Sequence, residues 1–266
     1  MTPALQTALT VAAIVAAACW ILSLITRDTS WVDRIWSLAP VGYVAWFASR
    51  AHFADARLDL MLLVATIWGA RLTYNFARKG GYRRGGEDYR WPILRERLGP
   101  VKFQLLNVTF IAPFQNLLLL AVTLPAWAAL EHPTPLAPSD YLAALLCVAF
   151  VIGETIADEQ QWRFHADKAE RRAAQHEITQ PFLTRGLFRY SRHPNFFCEM
   201  GMWWSFYLFS VAGSGWLNAT IAGVVTLTAL FQGSTQMTEQ VSLGKYPTYR
   251  EYQRTTSRII PWLPRS

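Results

Sequence analysis

At 266 residues, 52% of them hydrophobic and 12 of them Trp, the chain carries more apolar surface than an ordinary soluble fold accommodates, and a lipid bilayer is its natural solvent. The formal net charge of +7 reads as the charge bias of a membrane protein, with no nucleic-acid partner expected. The three cysteines, Cys19, Cys147 and Cys198, fall in or beside apolar stretches at spacings that give neither a metal site nor a disulfide framework.

Crossing about 30 Å of hydrocarbon takes roughly 20 apolar residues in a helix. Seven stretches qualify, so the expected fold is all-α, a polytopic bundle of about seven transmembrane helices. The first runs from Ala4 to Ile25; its Ala-rich texture resembles a signal peptide, but no Lys or Arg precedes Arg27, and without a positive n-region it reads as a mature helix. The second spans Ile35 to Phe53, the third Leu58 to Ala77 and the fourth Phe103 to Leu130. The fifth, Tyr141 to Ala157, continues into a polar helical extension, and Phe196 to Ala212 and Trp216 to Thr235 complete the set. Gly80-Gly81 and Gly85-Gly86 break one connecting loop, and Pro133, Pro135 and Pro138 fill another. No internal repeat or low-complexity linker interrupts the chain, which reads as one domain over residues 1–266.

Lys and Arg accumulate in cytoplasmic loops. Of the 25 here, 20 fall between Arg78 and Lys102, between Arg163 and Arg192, or after Thr235. Seven helices put those three segments on one face, and the segments Glu131 to Asp140 and Gly213 to Gly215, which hold no Lys or Arg, on the other. The expectation is an external N-terminus and a cytoplasmic C-terminus. Most of these cations need do no more than obey that rule or touch anionic head groups.

Ionisable groups at membrane depth cost about 2.5–3.5 kcal/mol on insertion scales, so they usually face a bundle interior and carry function. Three clusters fit. Glu154 and Asp158 share a helix face, followed by Gln161 and His165; Asn195, Glu199 and Trp203 recur every four residues after Ser191-Arg192-His193-Pro194; and Arg71, Tyr74, Asn75 and Arg78 close the third helix. Each cluster alone is equally well read as interhelical bonding. All three, however, are expected at the basic face, where cations suit phosphates, carboxylates suit ribose hydroxyls and amides suit a carboxamide, the requirements of a dinucleotide. No G-x-G-x-x-G follows a strand and no P-loop is present, which excludes a Rossmann-type or P-loop site.

The chain resembles the steroid 5α-reductase C-terminal domain superfamily, specifically its bacterial branch. The resemblance runs through Asp33-Arg34-Ile35-Trp36, Arg71 to Asn75, Gly86 to Trp91, Glu154 to Phe164, Leu187 to Glu199, Tyr249 to Tyr252 and Ile259-Ile260-Pro261. Gly186, Phe188, Tyr190 and Ser191, followed by Asn195, Glu199 and Trp203, are its most specific element. It implies a seven-helix enzyme of a bacterial inner membrane that holds NADPH on the cytoplasmic side, in a cofactor-binding half of about residues 141–266, and reduces a flat, apolar, lipid-like enone. By position, Asp158, Asn195 and Glu199 would hold the cofactor, with Glu154 and Gln161 beside them. Arg78, Lys79, Arg192, His193, Tyr249 and Arg250 would serve its phosphates and adenosine.

Departures cluster around the substrate. Animal steroid reductases carry a Gln-Glu pair where Val32-Asp33 stands, a Tyr where the nearest register places Ile67, and a Gly at Cys198. Asp33 is the expected catalytic acid, hydrogen-bonding the carbonyl oxygen while hydride reaches the β carbon. Its alternative role is a loop ion pair with Arg34 or Arg27. Tyr43, Tyr74 and Tyr89 are candidate second donors. Two rivals stand beside the reductase: an S-adenosylmethionine-dependent methyltransferase of the isoprenylcysteine carboxyl type, which shares Arg192-His193-Pro194, and a non-catalytic sterol- or lipid-binding membrane protein.

Overall fold

Residues 1–178 and 180–264 are described by a computed structural model, and every regular element among them is helical. The helices are α1 Pro3–Thr26, α2 Trp31–Ile35, α3 Ala39–Arg50, α4 Ala56–Arg78, α5 Arg90–Leu106, α6 Ala112–Ala121, α7 Leu124–Glu131, α8 Pro138–Ala173, α9 Pro194–Ser214, α10 Ile221–Lys245 and α11 Tyr249–Thr255. Among the described residues, four runs are long and apolar enough to cross a membrane: Pro3–Thr26, Ala56–Arg78, Arg90–Glu131 and Pro138–Ala173. The chain divides into two units, Met1–Ala144 with Ser205–Thr226 and Leu145–Trp204 with Leu227–Ser266.

Two expected spans are broken. The second, expected from Ile35, is shortened to α3: residues 36–38 form a turn after α2, in which the Trp36 N–H donates to the Asp33 carbonyl, and Pro40 opens α3. At 12 residues α3 is about 18 Å long, short of the hydrocarbon thickness. The fourth lies within a longer run beginning at Arg90. Gly99 takes φ +73° ahead of Pro100, a kink that a residue with a Cβ adopts only with strain, and a π-helical turn at Asn107–Ile111 joins α5 to α6.

In the first unit, α1 buries Ala4, Ala8, Ala12, Ala16, Cys19 and Ser23, a stripe at four-residue spacing. Small side chains let α6, α2 and α3 approach closely. The opposite side presents Val11, Ile14, Ile21, Leu24 and Ile25 outward, as a helix with a lipid-facing side does. Asp55 caps α4, its carboxylate accepting from the N–H groups of Arg57 and Leu58 at 3.0 Å each. At the second helical position, the buried Arg57 forks onto Asp140, Nε to Oδ1 and Nη2 to Oδ2, both 2.9 Å, and also donates to Thr134 and the Pro135 carbonyl.

The second unit is organised by an antiparallel pair. A Cβ on Gly153 of α8 would stand 2.9 Å from Cys198 Sγ on α9, one on Gly201 would enter the Phe150 ring, and the Cys147 thiol donates to the Met202 carbonyl at 3.6 Å. These approaches fix the register and bring the turn 154–158 level with residues 193–199. At 36 residues α8 is about 54 Å long, so its apolar first half suffices to cross a bilayer and its charged second half extends beyond.

Candidate functional site

The α8–α9 seam of the second unit holds three carboxylic side chains in burial: Glu154 and Asp158 one turn apart on α8, and Glu199 on α9. Glu199 Oε1 accepts the indole N–H of Trp203 at 3.1 Å, the four-residue spacing putting donor and acceptor on one face. Asn195, one turn before Glu199, is half-buried, as is Gln161. Carboxylates are almost never buried without a charged or hydrogen-bonding partner, and for Glu199 the Trp203 indole is one such partner.

Next to this seam, the turn before α9 is locked to the C-terminal segment. Arg192 forks onto Glu239 of α10, Nε to Oε1 at 2.7 Å and Nη2 to Oε2 at 3.1 Å, and its Nη1 donates to the carbonyls of Gln253 (2.9 Å) and Thr256. His193 Nε2 lies 3.1 Å from Glu239 Oε1, and Gln253 Nε2 donates to Oε2 at 2.7 Å. Burial pushes the Glu239 carboxyl upward, but the bonds from His193, Arg192 and Gln253 outweigh it and hold the group at about 2. Arg192 is thereby committed to the frame of the site. Tyr249 is buried, in edge contact with Phe182, whereas Arg250 is exposed.

The remaining expected residues lie in the first unit. Asp33 Oδ2 accepts the Trp91 indole N–H at 2.8 Å. Burial raises the Asp33 carboxyl above the ordinary range; Arg90 opposes this, Asp88 adds to it, and bonds from Trp91 and Ser30 oppose it further. Arg34 does not pair with Asp33: its Nη2 reaches Asp28 at 2.6 Å and its Nε the Gly81 carbonyl at 3.2 Å. Arg90 is held by Asp88 at 2.7 and 3.1 Å, and Arg95 by Glu87 at 2.6 Å, so the cations around Asp33 have carboxylates of their own. Tyr74 is 66% exposed under the Arg78 guanidinium, and Tyr89 is 46% exposed. Arg78 Nε donates to the buried Asn75 at 3.0 Å, and Lys79 is exposed at the end of α4. Tyr43 is the buried member of the tyrosine set.

Sequence reasoning passed over Glu239, which binds two expected residues at once, because it sits in a tail counted for its cations. Its signal was its spacing, one turn after Thr235 on the buried face of α10. Gln160 was likewise passed over for Gln161, yet its Oε1 accepts the Leu187 N–H at 2.9 Å and fixes the loop leading to Arg192. Among the described residues no group of His, Cys, Asp and Glu is arranged to hold a metal ion.

Residues 19–256 match the family described as "Protein of unknown function (DUF1295)". "Uncharacterized protein C594.04c" of Schizosaccharomyces pombe is 37% identical over 260 residues, covering 92% of this chain and 76% of the yeast protein. No solved structure matches.

Proposed function

Since the chain belongs to the DUF1295 family, whose match spans residues 19–256, we propose that it is a membrane reductase of the steroid 5α-reductase type, using NADPH to saturate the conjugated enone of an apolar, lipid-like substrate. The observation that carries this reading is the burial of Glu154, Asp158 and Glu199 along one helix seam, level with Asn195 and His193. Those groups fit the nicotinamide and ribose portion of a pyridine dinucleotide: carboxylates accept from ribose hydroxyls, and an amide pairs with a carboxamide. Arg78, Lys79, Tyr249 and Arg250 are the reading's candidates for phosphates and adenosine, with Arg192 acting as the tie that holds the turn. Seven crossings, with the N-terminus outside and the basic loops at the cytoplasm, complete the proposal.

NADPH would supply the hydride taken up at the substrate's β carbon. Asp33, whose carboxyl burial shifts toward its neutral form, would hydrogen-bond the carbonyl oxygen and stabilise the enolate that develops there. Trp91 fixes the carboxyl through Oδ2. A proton then completes the saturated ketone at the α carbon.

The test is oxidation of NADPH by the purified protein against a panel of steroid and isoprenoid enones. Enone-dependent oxidation that Asp158→Asn abolishes supports the reading, and its absence across the panel contradicts it. Arg192-His193-Pro194 supports a second reading, an S-adenosylmethionine-dependent methyltransferase; methyl transfer to an isoprenylcysteine carboxylate would establish it instead.

A further inference from the structure

The segment after α11 runs back along the turn that precedes α9. The N–H groups of Arg192 and His193 donate to the carbonyls of Ser257 (2.8 Å) and Arg258 (3.1 Å), Ser191 Oγ donates to the Ile259 carbonyl at 2.7 Å, and the Trp262 N–H donates to the Tyr190 carbonyl at 2.9 Å. This pairing buries Ile259 and turns its neighbours outward: Ile260, Trp262 and Leu263 are 68%, 69% and 73% exposed. Three large apolar side chains turned away from the protein this close together mark a surface suited to an apolar partner.

Their level is set by α8. The apolar stretch of that helix ends at Ala157, and one turn later Gln160 bonds Leu187, three residues before the Tyr190 that binds Trp262. Trp262 therefore stands where α8 leaves its apolar stretch, the depth at which Trp is enriched at bilayer surfaces. Beside it is a cavity of about 410 Å³ lined by Arg254, Thr255, Ser257, Arg258, Trp262 and Leu263. Arg258 is steadied by a bond to Gln232. One wall offers cations and hydroxyls and the other offers apolar side chains, the two needs of an amphiphile with an anionic head.

We propose that this groove binds an anionic phospholipid of the adjoining leaflet, its phosphate on Arg254 and Arg258 and its glycerol and upper acyl carbons against Trp262 and Leu263. Arg192 and Gln253 also line the groove, but none of the seam carboxylates Glu154, Asp158 and Glu199 does, and the proposal stands whether or not the protein reduces an enone. Because the same segment supplies the carbonyls that hold Arg192, the bound lipid also steadies the frame around Glu239.

Delipidated full-length protein titrated with phosphatidylglycerol or phosphatidylcholine, bound lipid being read by native mass spectrometry, tests this. Phosphatidylglycerol is retained in preference to phosphatidylcholine. Arg254→Ala and Arg258→Ala each weaken its retention about fivefold, the effect of one cation at a charged membrane surface. Trp262→Ser, at an exposed position that removes no charge, weakens both lipids alike. Arg83→Ala, in another basic loop, leaves retention unchanged. Wild-type retention by Arg254→Ala and Trp262→Ser, an equal loss with Arg83→Ala, or displacement of the lipid by excess NADPH would each overturn the proposal.

Discussion

Asp33 in the first unit and Glu239 in the second are carboxyl groups that burial acts on in the same direction, yet their acidities are displaced in opposite directions. Asp33 accepts the neutral N–H of Trp91 at 2.8 Å, while the nearby Arg90 is gripped by Asp88 and Arg34 by Asp28. Desolvation prevails, and the carboxyl rises above its ordinary range. Glu239 takes a forked guanidinium from Arg192 together with bonds from His193 and Gln253, which overcome the same desolvation and hold it at about 2. Depth alone does not decide what a carboxyl group does. A cation committed elsewhere leaves Asp33 able to keep a proton, whereas a cation committed to Glu239 makes it a permanent anion that ties three stretches of chain together.

The contrast breaks most severely at Asp33. Asp33→Asn keeps the shape and removes the acid, so enone-dependent turnover falls about 10²–10⁴-fold with NADPH affinity unchanged, as steady-state rates and a binding titration would record. Next is Glu239→Ala, which strands Arg192 in burial and costs about 3–5 kcal/mol, visible as a lower unfolding midpoint in detergent. Pairing Arg192→Met with Glu239→Leu restores part of that loss if the pair is structural.

A pH series sharpens the comparison further. The depressed Glu239 carboxyl contributes stability that is complete above its ordinary value of 4.5 and is lost as pH falls toward about 2, and Glu239→Gln flattens that limb. Asp33 has the opposite sign, since its folded form binds a proton more readily than its unfolded form. The smallest effect is that of Trp91→Phe. It removes a bond that favours the charged form, so the alkaline limb of the rate profile moves upward, as a pH–rate series would record.

The amino-acid sequence discloses α1 and α4 almost to the residue, because long, mostly apolar runs with a charge at the exit leave little choice. The turn at residues 36–38 and the π-helical turn at Asn107–Ile111 interrupt apolar runs, and an averaged hydrophobicity passes over both. The Arg57–Asp140 fork joins residues 83 apart, and nothing local announces it; Arg57 reads as one more loop cation until the bundle closes around it. Four-residue spacing puts Glu154 with Asp158 and Asn195 with Glu199 on common helix faces, and it puts Glu239 one turn after the buried Thr235, but that Glu239 binds Arg192 and His193 is visible only in the folded chain. Asp33 reads locally as a partner of Arg34, and only the folded chain shows Arg34 drawn to Asp28.

NADPH binding to the carboxylate seam is tested most directly by thermal unfolding of detergent-purified protein with and without the nucleotide, since a ligand stabilises only the form it binds. NADPH raises the unfolding midpoint of the wild type and leaves that of Asp158→Asn and Glu199→Gln where it was. A midpoint indifferent to NADPH and raised by S-adenosylmethionine would contradict the reductase reading.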